Sequence, residues 1–311
     1  MFRKVFPLPL ALVVCLGIAG TVNANPYGPV SLGSAASLTV LGIASVTLNQ
    51  GSVNGDVGIG GGTGTLEKSF LNGQLYIAPG ASPDFHTQDY MINFQVNYDV
   101  NTNPDIHLNY NLTSAINDAI AASHLASTLA ATQIVNGDIN DTSMTFNSTG
   151  ALNVIQINGT IDLKEDALIL NGGANDVFIF NITGDFDMSL SAIVLNGVSA
   201  ENVLFNMLPE NGFVNGQCTA PATPETNFNK DGGTFVGTLL APCRNVEVKD
   251  TGLVVTGRII GNDVLIHSGA LVNGPTATPE PASMLLLGTG LTALGGFARR
   301  RRRSASLTSG K

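Results

Sequence analysis

The sequence predicts a mostly β protein, a solenoid of short stacked strands with one long helix along its flank. Three observations lead there. First, residues 157–181 recur as residues 182–206 at an offset of 25. Ile157 meets Ile182, Gly159 meets Gly184, Leu163 meets Met188 and Ala167 meets Ala192. Leu170-Asn171-Gly172 meets Leu195-Asn196-Gly197, and Phe180-Asn181 meets Phe205-Asn206. A shorter echo relates residues 251–257 to 268–274 at an offset of 17. One such coil cannot bury its apolar face alone, so coils must stack. Second, glycine is abundant, and the Asn-Gly pairs supply corners that tolerate positive φ. Third, residues 112–132 contain no Gly or Pro and place Leu112, Ile116, Ala119 and Ile120 at helical spacing.

The repeat carries a register. Leu170 and Leu195 are expected in equivalent places of neighbouring coils, in one interior row. The run Val177-Phe178-Ile179-Phe180 is apolar on both alternations, as a strand buried on both sides is. It is expected beneath the helix.

The chain has 311 residues, of which only 12% are charged. Residues 25–278 hold twenty-two acids against six bases, a net of -16. A body so acidic repels nucleic acid and anionic membranes, and no nucleic-acid partner is expected.

The two ends read as addresses. Arg3 and Lys4 precede an apolar stretch reaching Ala19, and short residues lead to Ala24. This is the pattern of a signal peptide over residues 1–24, an N-terminal helix cleaved after Ala24. An exported chain meets an oxidising compartment, so the two cysteines left, Cys218 and Cys243, are expected to pair. At the other end Pro279, Glu280 and Pro281 precede residues 282–298, which carry no charge. Arg299, Arg300, Arg301, Arg302 and Arg303 follow, and residues 305–311 form a polar tail. Seventeen helical residues span about 25 Å, enough for a short transmembrane helix. The arginines would hold its end in the cytoplasm.

Residues 278–304, with the Pro-Glu-Pro triplet, the Leu285-Leu286-Leu287-Gly288 helix and the Arg cluster in order, resemble the PEP-CTERM sorting signal of Gram-negative bacteria. The resemblance implies an exosortase-type membrane protease as partner. It also implies transient insertion in the inner membrane, then release or attachment at the outer surface or in an exopolysaccharide matrix.

Residues 30–64, reading VSLGSAASLTVLGIASVTLNQGSVNGDVGIGGGTG, resemble the opening of the ice-binding-protein-like solenoid family. GTIDL with VFIFNITG, AENVLFNM and FVGTLLAP followed by Gly-spaced coils fit it in order. The same pieces resemble choice-of-anchor-A domains. Either resemblance implies a right-handed β-helix with a long flanking helix over residues 25–277, exported and not an enzyme.

Ice adsorption needs a flat face of small and Thr side chains in register. The position after each corner glycine holds Thr160, Asp185, Thr238 and Arg258. Thr160 and Thr238 are the candidate face residues, and the two charges interrupt the row. Catalytic signals are thin. The glycines of residues 58–64 fit no phosphate-loop pattern, and His86, His107, His124 and His267 are scattered without H-E-x-x-H. Asp185 and Asp187 lie two apart, on one face of a strand, and would be the place for paired carboxylates or calcium. No catalytic residue, cofactor or metal is assigned. The leading expectation is a structural or adhesive surface module. Its alternatives are an ice-binding protein and a polysaccharide-active enzyme.

Overall fold

The computed structural model describes residues 27–85, 91–93, 103–219, 225–228, 232–249 and 252–275. The signal peptide, the sorting signal with residues 282–298, and the polar tail lie outside them. Among the described residues no helix is long and apolar enough to cross a membrane.

The strands wind into triangular coils with three flat faces, here named A, B and C in chain order. One coil runs Leu152–Asn158 on face A, Ile161–Lys164 on B and Ala167–Asn171 on C. The next runs Val177–Ile182, Phe186–Ser189 and Ala192–Asn196. Among the described residues the strands of neighbouring coils pair in parallel, so the side chains of equivalent positions stack in rows along the axis. The 25-residue repeat falls in register: Ile157 pairs with Ile182, Leu163 with Met188, Leu170 with Leu195 and Phe180 with Phe205. Leu170 is fully buried, and Leu195 is partly buried against the same core. Phe180 and Phe205 stack at 4.8 Å between ring centroids, so the repeat builds an aromatic column inside the coil.

The coils are not stacked in chain order. On face A the spatial sequence is Gln133–Asn136, Leu152–Asn158, Val177–Ile182, Val203–Met207, 238–241, 258–261, 40–42, Val57–Ile59, Leu75–Ile77 and Ile106–Leu108. The last coil of the chain therefore pairs with the first, Val40 with Ile259 and Leu48 with Ile266. After residue 108 the chain must return to the opposite end, about 43 Å away at the usual strand spacing. The helix, α1 (Thr113–Thr128), carries about 24 Å of that distance along face A, and the segments on either side carry the rest.

The buried stripe of α1 is Ala115, Ala119, Ala122, Ser123 and Ala126. The periodicity also pointed to Ile116 and Ile120, yet the contact line is alanine, which lets the helix approach the sheet closely. The middle strands of face A are consequently buried on both sides, and every residue of Val177–Ile182 is buried. Two buried asparagines lie at this interface. Asn181 Nδ2 donates to Ala126 O at 2.8 Å, and Asn206 Nδ2 donates to Asn181 Oδ1 at 2.8 Å and to Ser123 O at 3.0 Å. Ser123 Oγ donates in turn to Asn206 Oδ1. The Asn181 bond gives a second donor to a carbonyl of the last helical turn, which otherwise takes only the long 3.3 Å bond from the Leu129 N–H.

Between faces B and C the chain turns through left-handed residues that are not glycine: Gln50, Lys68, Asp141, Glu165, Leu190 and Ser268 all have φ between 44° and 60°. The Asn-Gly signal does not find these corners. The A-to-B corner is two or three residues long in most coils, but after Val203–Met207 it expands to residues 208–224. Within it Phe213–Val214 and Gln217–Cys218 form a hairpin whose Phe213 ring meets His124 of α1 at 5.1 Å. Cys218 is bonded to Cys243 of the following coil, with Cα atoms 5.4 Å apart. That closes a loop of 25 residues, so Cys218→Ser with Cys243→Ser is expected to lower unfolding free energy by about 3 kcal/mol. Chemical denaturation of the double variant checks this, and a loss well under 1 kcal/mol would contradict it.

Candidate binding face

Each face presents its outward side chains differently. Face A is covered over its middle strands by α1 and by the N-terminal segment. Tyr27 is fully buried there, and its hydroxyl meets Thr238 Oγ1 at 2.6 Å. Burial pushes the Tyr27 phenol above its ordinary pKa, although the Arg258 charge opposes the rise.

Face B is charged. Asp162 lies beside Asp187, and Lys164 reaches Asp162 at 2.8 Å and Asp141 at 3.6 Å. Farther along, Glu247 takes Lys249 at 2.8 Å and His267 at 3.0 Å. Partial burial raises the Glu247 carboxyl, but the hydrogen bonds and charges of those two partners outweigh it and hold the pKa below the usual value.

Among the described residues the strands of face C carry no charge. Its inward positions are Phe146, Leu168, Leu170, Ile193, Phe235, Leu253, Val255, Val272, Val53, Leu71 and Ile92, all buried. Alternation then sends the intervening residues outward. One outward row runs Ala167, Ala192, Thr234, Val254, Leu271, Ser52, Phe70 and Met91. A second contains Thr145, Ile169 and Val194, and then Val236, Thr256, Asn273, Asn54 and Asn72. Nine strands share the face, which makes it about 38 Å long. Its margin toward face A is an asparagine ladder in two parts. Asn196 donates to Asn171 and Asn171 to Asn147, each at 2.8 Å. Asn72 donates to Asn54 at 3.4 Å, and Asn54 to Asn273 at 2.8 Å. These amides tie neighbouring coils side chain to side chain and hold the edge of the face straight.

The residues singled out from sequence fall elsewhere. Thr160 is at the A-to-B corner, half-buried; its amide donates to Asp138 Oδ1, and its hydroxyl accepts from the Asp185 amide. Thr238 is on face A, 1% exposed and bonded to Tyr27, so it cannot meet a surface outside the protein. Thr160, Asp185, Thr238 and Arg258 do not form a row: Thr238 pairs with Leu204 and Arg258. The row was assembled from two kinds of glycine corner. Gly159 and Gly184 turn from A to B, whereas Gly237 and Gly257, with φ of 126° and 143°, turn from C to A. Asp185 is held by the buried Arg244 at 3.2 Å, while Asp187 points outward beside Asp162. His107, His124 and His267 stand apart, and His86 lies outside the described residues. Among the described residues no three His, Cys, Asp or Glu converge as a metal site.

A signal for face C was present in the sequence. The third strand of each repeat, ALILN then AIVLN, is uncharged at every outward position. It could be read only once that strand was known to face solvent.

A stacked parallel solenoid sealed on one flank by a helix, with an uncharged third face among the described residues, is the class of fold that these residues define. Residues 38–269 match the Ice-binding-like family, and residues 277–303 match the PEP-CTERM protein-sorting motif. The chain belongs to the Ice-binding-like family, and like that family it is not an enzyme. The sorting motif implies export, exosortase processing and surface sorting. Several solved structures share the fold. An ice-binding protein from the Antarctic ascomycete Antarctomyces psychrotrophicus is 20% identical with a TM-score of 0.51, covering 80% of this chain and 99% of its own. An ice binding protein from an Antarctic biological consortium is 17% identical with a TM-score of 0.53, covering 79% and 91%. An ice-binding protein from an Arctic yeast is 19% identical with a TM-score of 0.50, covering 81% and 96%. No curated protein matches the chain in sequence.

Proposed function

We propose that the processed chain is an exported module that adsorbs to ice through face C. The observation that carries this is the absence of charge from the outward rows of that face, in a body of net charge -16. A charged group keeps its hydration shell and cannot be matched to a rigid lattice without loss. Small and β-branched side chains in fixed rows, braced by an asparagine ladder, can present ordered water at a regular spacing. The charged row that counted against ice is not a row. Solved proteins of this fold described as ice-binding add support.

A structural or adhesive role is the second reading, and a different part of face C favours it. Leu271, Phe70 and Met91 project large apolar groups from the half nearer the Ile106–Leu108 end. Such groups suit a polymer or another cell surface better than a lattice. Thermal hysteresis of the processed protein separates the readings: the ice reading expects a clear freezing-point gap with faceted crystals. A gap indistinguishable from that of an inert protein leaves the adhesive reading.

We further propose that both ends are removed before the module acts. Mass spectrometry of the surface fraction from the native host is expected to find an N-terminus near Asn25 and no peptide from residues 284–303. Intact tail peptides there would instead mean a plain membrane anchor.

A further inference from the structure

A second candidate site lies at the corner between faces C and A, meeting the outward rows of face C only at Asn54. Tyr76 and His107 occupy adjacent outward positions at the end of face A, their rings stacked at 4.9 Å with planes 14° apart. Tyr110 folds back over them, 4.6 Å from Tyr76 and 6.3 Å from His107, and remains 47% exposed. The start of α1 lies over Gly58, one strand short of this cluster. A polar chain centred on Gln74 fixes the His107 ring. Gln74 Oε1 pairs with His107 Nε2 at 2.8 Å, Gln74 Nε2 donates to Asp105 Oδ1 at 2.9 Å, and the Gln74 amide donates to Asp56 Oδ1 at 2.8 Å. Neither carboxylate has a Lys or Arg partner among the described residues. Asp56 also lines a cleft of about 410 Å³ that continues along the corner past Asn54 and Thr39 to Arg258. That volume is in the range of ligand sites.

We propose that the Tyr76–His107–Tyr110 platform and the adjoining Asp56 cleft bind a segment of non-anionic hexose polysaccharide. A pyranose ring has an apolar C–H face and a rim of hydroxyls. Exposed aromatic faces take the first, and oriented amide and carboxylate groups take the second. Asp56 and Asp105, in a body already strongly acidic, outnumber Arg258 at the far end of the cleft and disfavour uronic-acid and sulfated polymers. Asp56 joins the two, lining the cleft while accepting from the Gln74 backbone N–H beside the rings, so a chain of sugars can run from one to the other. This site does not depend on the ice reading, because face C contributes none of the three rings.

The test is titration calorimetry of the processed chain with cellohexaose, laminarihexaose, chitohexaose and mannohexaose, with an alginate hexamer as anionic control. At least one neutral hexamer is expected to bind and alginate to fail. Tyr110→Ala and His107→Ala should each weaken binding about tenfold, whereas Tyr110→Phe retains it. Circular dichroism and thermal hysteresis should be the same in all three variants as in the parent. The proposal is overturned if no neutral hexamer binds, if alginate binds as well, or if Tyr110→Ala leaves affinity unchanged.

Discussion

Replacing Val194 with arginine is expected to abolish ice adsorption while leaving the fold intact. Val194 sits near one end of face C, between Ile169 and the strand that carries Thr234 and Val236, and is 37% exposed. An arginine there can lie along the face with its guanidinium in water, so unfolding free energy should change by no more than about 0.5 kcal/mol. It adds a bulky hydrated cation to a surface whose flatness is the basis of the contact. Thermal hysteresis should fall to the level of an inert protein. The control is Thr160→Tyr, an equally bulky change at the A-to-B corner, which should leave hysteresis intact. If Thr160→Tyr abolishes activity and Val194→Arg does not, the contact face has been misplaced.

Arg244→Met should cost about 3 kcal/mol of stability, more than any surface ion pair would. Among the described residues Arg244 is the largest fully buried side chain, at 1% exposure. Its Nε donates to Leu208 O at 2.6 Å, Nη1 to Gly184 O at 2.9 Å and Nη2 to Thr183 O at 2.7 Å. Burial pulls its pKa down, and the nearby Asp185 and Glu210 charges offset part of that. Methionine fills the volume but leaves three corner carbonyls without donors. Lysine does little better, since a single ammonium cannot reproduce the guanidinium fork. Asp185 is 43% exposed and rehydrates when its partner goes, so Asp185→Asn should cost under about 1 kcal/mol. Denaturation of the three variants checks the ranking. A cost for Asp185→Asn equal to that of Arg244→Met would mean that the ion pair, and not the carbonyl contacts, carries the stability.

The repeat, the helix and the strand beneath it were legible because each is local. A 25-residue self-similarity sets parallel register directly, and Leu170 stands beside Leu195 for that reason. The order of coils was not legible. Val40–Asn49 pairs with the far end of the chain through apolar strand residues that would fit several neighbours equally well. The candidate face was lost for a related reason. A glycine in sequence does not state which corner it turns, and Thr160 and Thr238 follow glycines at different corners, so they do not share a surface. Arg244 gave no signal, since an isolated arginine between Cys243 and Asn245 looks like any surface cation. Its role depends on residues 183–185 and 208 converging on it from earlier coils.

The most direct test of the central claim is partition into slowly growing polycrystalline ice, measured together for the parent protein, Val194→Arg and Asp162→Lys. The parent and Asp162→Lys, altered only on the charged face B, should both enter the ice, and Val194→Arg should remain in the liquid with excluded solutes. Exclusion of the parent itself, or equal entry of Val194→Arg, would contradict face C as an ice-contact surface.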